Sequence, residues 1–269
     1  MVTPSPTFEK LSIELAGTLV ACRADPGSRE VHALRIAVRR IEAFLHAMTG
    51  DDPRDERLRV GAKKALRQLK KVRRAAGPVR DLDVQRRLIA EIIAKTSATR
   101  SVEGKESLEG EAKRLDERLH RQRKEAAEKL TSVVRKTESN LERSLGAIAD
   151  TMTGWRPLSL LNMARRLVLR SSLHLEDASP ESLHLYRKQA KAARYLAEME
   201  TTSTPAQRLA KKLKRVLDAI GRWHDLLLLA QEAKAWLGKE STLAVAIREE
   251  RERAWRVAMR STGSACPMP

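Results

Sequence analysis

The chain has 269 residues, 53 of them Lys or Arg against 35 Asp or Glu, for a formal net charge of +18. A balance this basic makes a polyanion the first partner to consider, and 42% apolar residues is enough to bury a core, so disorder is not the source of the charge. Aromatic residues are only 3% while Ala, Leu, Arg, Lys and Glu dominate, which favours helix because unbranched side chains lose little rotamer freedom there; an all-α fold is expected.

Helical periodicity begins near Thr7. Breaks at Asp25-Pro26-Gly27, Gly50-Asp51-Asp52-Pro53 and Gly77-Pro78 predict helices over 7–23, 28–49 and 54–76, with a fourth starting near Val79. Asp81-Leu82-Asp83 resembles a magnesium-carboxylate pair, but it falls at the start of that helix, where a carboxylate caps free N–H groups and complements the macrodipole, and capping is the favoured reading. Ser107 to Ala149 reads as a long, charged, solvated connecting helix. After Gly154-Trp155-Arg156-Pro157 the helices resume, broken near Ser179-Pro180, Thr204-Pro205 and Gly238, and run to about Arg260, leaving Ser261 to Pro269 frayed. No apolar run reaches the ~18 residues of a membrane span, and the N-terminus lacks a signal-peptide pattern, so a soluble, cytoplasmic protein is expected. Cys22 and Cys266 lack the spacing of a zinc or redox motif and read as free thiols.

Two motifs recur in the same order. Val31-His32-Ala33-Leu34-Arg35 followed by Arg39 matches Leu183-His184-Leu185-Tyr186-Arg187 followed by Lys191. Gly77-Pro78-Val79-Arg80-Asp81-Leu82 matches Gly221-Arg222-Trp223-His224-Asp225-Leu226. The chain therefore reads as two helical halves, 1–150 and 151–269.

At about 100° per residue, Leu34, Val38, Ile41, Leu45 and Met48 share one face, while His32, Arg35, Arg39 and Arg40 share another. In the second half Leu183, Tyr186, Ala190, Ala193 and Ala197 make the apolar face, and His184, Arg187, Lys188, Lys191 and Arg194 gather opposite. The next helices carry longer rows: Arg59, Lys63, Arg67, Lys70 and Arg74, then Arg208, Lys211, Arg215 and Arg222 with Lys214 at the edge. Such a row delivers one cation per ~5.4 Å of pitch, and its self-repulsion is relieved by a bound anion. A single row is equally an ordinary solvated face; four rows of one sign on repeat-related helices favour anion binding. His32 and His184 are read either as core histidines or, given their cationic neighbours, as donors to phosphate oxygens. No paired ligand one turn away marks a metal site.

These segments, His32 to Arg40, Gly77 to Val84, His184 to Tyr195 and Gly221 to Leu226, resemble the CHAD family, the histidine-containing α-helical domain. The resemblance runs from about Thr7 to Arg260. It implies two four-helix bundles related by a pseudo-two-fold axis with a basic cleft or pore between them, and binding of inorganic polyphosphate at polyphosphate granules. By motif it implies His32, Arg35, Arg39, Arg40 and Arg80 as ligands in the first half and His184, Arg187, Lys188, Lys191 and His224 in the second. Ala192 opposite Arg40, and Glu42, depart from the pattern. No β-rich segment with alternating Glu and Lys or Arg accompanies it, so the triphosphatase activity of fused relatives is not implied.

The expectation is a non-enzymatic polyphosphate binder with no cofactor and no metal. The alternative is a nucleic-acid-binding helical protein, since basic helices serve phosphodiester backbones too. Eight aromatic residues supply few stacking platforms, and no recognition-helix signature is visible. An enzyme of phosphate metabolism would need a glycine loop or carboxylate cluster, and a purely structural adaptor leaves the cation rows unexplained.

Overall fold

The computed structural model describes residues 2–50, 56–96, 102–152, 158–172 and 180–263. Among them lie α1 (Pro4–Ala24), α2 (Ser28–Gly50), α3 (Glu56–Thr96), α4 (Val102–Thr151), α5 (Leu160–Ser172), α6 (Pro180–Met199), α7 (Thr204–Leu237) and α8 (Thr242–Gly263). The one β interaction among the described residues is a bridge of Val2 to Leu158, whose N–H groups donate to each other's carbonyls at 2.8 and 2.9 Å. The fold is all-α. Trp155, Cys266, the expected break at 51–53 and most of the 261–269 tail lie outside the described residues, although α8 itself extends past Arg260 to Gly263.

The chain forms two compact units. Unit 1 comprises Met1–Gly77 and Ala127–Lys214; unit 2 comprises Pro78–Ala126 and Arg215–Pro269. Each unit therefore draws on both sides of residue 150, and α3, α4 and α7 each contribute to both units. Both copies of the His-containing motif fall in unit 1, while Pro78–Leu82 and Gly221–Leu226 fall in unit 2.

One expected break is absent. Pro78 lies inside α3, with no helix start beside it. Proline there removes the N–H that would bond the carbonyl of residue 74, but the usual clash of its ring with the preceding Cβ does not arise, because residue 77 is glycine. Asp81 and Asp83 consequently have no N-terminus to cap. Asp83 accepts from Arg123 Nε at 3.0 Å instead.

The 107–149 stretch is also more than a solvated connector. Leu108, Leu115 and Leu119 are buried in unit 2, and Leu130, Val134 and Leu141 in unit 1, so one face of α4 is core throughout. Its carboxylates anchor neighbours: Glu111 accepts from the N–H groups of Thr242 (3.3 Å) and Leu243 (2.7 Å), capping α8.

In unit 1 the apolar faces read from the sequence are inside. Leu34, Val38, Ile41, Leu45 and Met48 of α2 are all buried, as are Leu183, Tyr186, Ala190, Ala193 and Ala197 of α6. Truncating a core leucine such as Leu34 to Ala should cost about 2–5 kcal/mol. Phe8 stacks on Phe44 with ring centroids 6.0 Å apart, tying α1 to α2. At Gly61 a Cβ would stand 3.0 Å from Ile148 Cγ1, so the missing side chain lets α3 lie close against α4. Glu200, buried at the end of α6, accepts from the N–H of Leu161 at 2.8 Å and fixes the start of α5. These contacts set the four helices whose polar faces form the site.

Candidate anion-binding cleft

The cores of α2, α3, α5 and α6 leave between them a cleft of about 860 Å³, wholly within unit 1. Its floor is small and apolar, with Ala43, Ala47, Ala62 and Ala192 beside Leu66 and Met163. Cations supply its walls. α3 contributes Arg59, Lys63, Arg67, Lys70 and Arg73, α2 contributes Arg39, α5 contributes Arg166 and Arg170, and α6 contributes Lys188 and Lys191. Among the described residues, ten cations thus share the lining with one carboxylate, Glu42.

That carboxylate is engaged. Arg73 Nε donates to Glu42 Oε1 at 3.0 Å, and only 13% of the Glu42 side chain is exposed. Arg59, at the outer edge, forms a helical pair with Glu56 at 2.7 Å, which lies in solvent and is worth little. Burial lowers the Arg39 guanidinium from its ordinary value; Glu42 opposes this, while Arg73 and Arg35 push in the same direction as burial. An arginine made less comfortable by its cationic neighbours is stabilised when an anion binds among them.

The profile of the CHAD domain family matches residues 14–234, most of the chain. The chain belongs to the CHAD domain family. A solved structure similar to this CHAD chain is the crystal structure of the CHAD domain from the plant Ricinus communis, with a TM-score of 0.69 and 14% identity over 98% of this chain and 92% of that one. That likeness is one of fold. No curated protein matches the sequence.

Of the residues expected as ligands, Arg39, Lys188 and Lys191 from the family motifs and Lys63, Arg67 and Lys70 from the α3 row come together in the cleft. His32 and His184 are exposed and therefore not core histidines, and neither lines it. Arg35, Arg74 and Arg187 also stand outside it, as do the exposed Arg208, Lys211 and Lys214 of α7. Arg40 is held elsewhere, donating to Glu14 at 2.9 Å and lying 3.8 Å from Glu198.

Unit 2 holds the remainder in a different setting. Arg222 pairs with Glu91 and, at 3.5 Å, with Glu250. Glu250 also accepts from Lys95 at 2.8 Å; that bond, against an opposing desolvation, holds its carboxyl below the usual range. Arg80 is lowered by burial, with Asp225, Asp81 and Asp83 countering and Arg87 adding to the fall. Asp225 lies inside α7 with no helix start to cap; His224 Nδ1 is 3.8 Å from it, and its charge opposes the lowering of Arg80. Arg215 is exposed.

Sequence reasoning missed Arg73, Arg166, Arg170 and His46 as lining residues. Arg166 and Arg170 step by four on α5, the one available signal. Trp223 packs on Trp255 at 4.8 Å, and Arg118 lies over the half-exposed Trp236 at 4.4 Å, as boundary residues do. Cys22 is a free, fully buried thiol. No described helix is long and apolar enough to cross a membrane, and no cluster of three or more potential metal ligands occurs among the described residues.

Proposed function

We propose that this CHAD protein binds inorganic polyphosphate in the unit 1 cleft and performs no chemistry on it. The observation that carries the reading is the wall of ten cations around a single, already engaged carboxylate. A surface evolved only for solubility mixes signs; a concave one-sign surface is a destabilising feature unless an anion occupies it. The lining offers charge and hydrogen-bond donors, and its one carboxylate is tied up by Arg73, so the general-base candidate left in the described lining is the imidazole of His46.

Polyphosphate suits this cleft better than nucleic acid. The described lining holds two rings, the buried Tyr195 and the imidazole of His46, so bases find few stacking platforms. A chain of phosphates has no bulky group to place over the alanine floor. Binding of this kind would carry the protein to polyphosphate granules.

The test is a competition of long-chain polyphosphate against duplex DNA and RNA at matched phosphate concentration and fixed salt, because such affinities fall steeply with salt. Polyphosphate should win. Equal or tighter binding of either nucleic acid overturns the selectivity, and shortening of polyphosphate by the purified protein, abolished by a cleft variant that still binds, overturns the non-catalytic reading.

A further inference from the structure

A cation row along an open helix can follow an anionic strand without limit, whereas a cleft has ends. The α3 wall runs from Arg59 to Arg73, roughly 21 Å of helix axis at ~1.5 Å per residue. The rest of the described lining adds Arg39 of α2, the two arginines of α5 and the two lysines of α6, and the cationic row of α7 does not continue it. Among the described residues the cation supply is therefore finite: ten groups, of which Arg59 and Arg73 hold carboxylates.

We infer that the cleft is a length-limited site that engages no more than about ten consecutive phosphates of a chain, with Arg166 and Arg170 of α5 closing the wall opposite α3. This rests on the reading of the cleft as a polyphosphate site. Internal phosphates of a linear polyphosphate carry one charge each, so charge matching stops when the cations are used up. A tripolyphosphate meets only a fraction of them. A chain much longer than the cleft leaves its remainder in solvent, gaining only from the larger number of registers it offers.

Affinity alone does not separate these contributions, because the register count keeps improving the apparent constant with length. The dependence of the binding constant on salt does, since its logarithmic slope counts the phosphate contacts and is blind to register. Isothermal titration of the full-length protein with inorganic chains of about 3, 5, 10, 20 and 60 units, each at several salt concentrations, gives that slope against length. The contact number should rise with length and level off at no more than about ten, and Arg166→Ala with Arg170→Ala should lower the plateau by about two. A slope that keeps growing well past ten contacts, or a plateau unmoved by the α5 pair, overturns the length limit while leaving polyphosphate binding intact. Absence of binding at every length overturns the polyphosphate reading itself.

Discussion

The two compact units use the same kinds of side chain to opposite ends. In unit 1, Arg39, Lys63, Arg67, Lys188 and their neighbours converge on a cleft where one carboxylate, Glu42, is present. In unit 2, Arg222 is met by Glu91 and Glu250, and Arg80 by the charges of Asp81, Asp83 and Asp225. The lesson is that a row of cations on a helix does not by itself make an anion site. What decides is whether the helices packed against it bring carboxylates, and in unit 2 they do.

The comparison breaks most directly by charge reversal. Lys63→Glu combined with Arg67→Glu should weaken polyphosphate binding by about 100-fold or more, since each reversal removes an attraction and installs a repulsion in a concave site. A far-ultraviolet circular dichroism spectrum and melting curve would confirm that the variant stays folded, as both residues are exposed. In unit 2, Arg222→Met should act the other way round. It should cost up to about 1 kcal/mol of stability by taking one cation from Glu91 and Glu250, which keep Arg87, Lys95 and Arg253, yet change affinity by less than about twofold. Urea denaturation and titration of the same preparation would read both numbers.

A smaller effect sharpens the role of the lone carboxylate. Glu42→Gln should tighten binding by about threefold to tenfold and raise the salt slope by about one contact, because Arg73 is released to the ligand. The same variant should lose about 1 kcal/mol of stability with the 3.0 Å pair. Looser binding would mean that Glu42 serves chiefly to aim Arg73.

The effect smallest near neutrality concerns the unit 1 core. Burial first, then Glu30 and Asp25, pushes the Cys22 thiol up to about 12. A folded-state value raised above the unfolded one means that the native state holds the extra proton, so the contribution is intact below the ordinary thiol range and lost as pH rises toward about 12. In a Cys266→Ser background, iodoacetamide should leave Cys22 unmodified at pH 8 until denaturant is added, and Cys22→Ala should flatten the alkaline fall in stability.

Much of this was legible in the residues. The apolar stripe Leu34, Val38, Ile41, Leu45 and Met48 is buried as its periodicity requires, and the breaks at Asp25-Pro26-Gly27 and Gly238 fall between helices, the latter with Gly238 at φ +90°. The Gly77-Pro78 break was misjudged because a pair of residues that usually ends a helix is tolerated when the first has no Cβ. The α6 cations and the α3 cations other than Arg73 were visible as rows. Arg166 and Arg170 were not, since α5 carries neither the repeated motif nor a long row. The neutralisation of Arg222 could not be read locally, as Glu91 lies 131 residues away in sequence. Which cations face a cleft is a property of packing between helices, and the pattern within one helix does not contain it.

The central claim is that polyphosphate lies on the unit 1 cleft and not on the unit 2 network. Lysine footprinting tests it directly: the protein is acetylated briefly with and without long-chain polyphosphate, and modification at each lysine is read by mass spectrometry. Lys63, Lys70, Lys188 and Lys191 should be protected, while Lys95 and Lys234 of unit 2 keep their reactivity. Protection of the unit 2 lysines with the four cleft lysines unchanged would contradict the account.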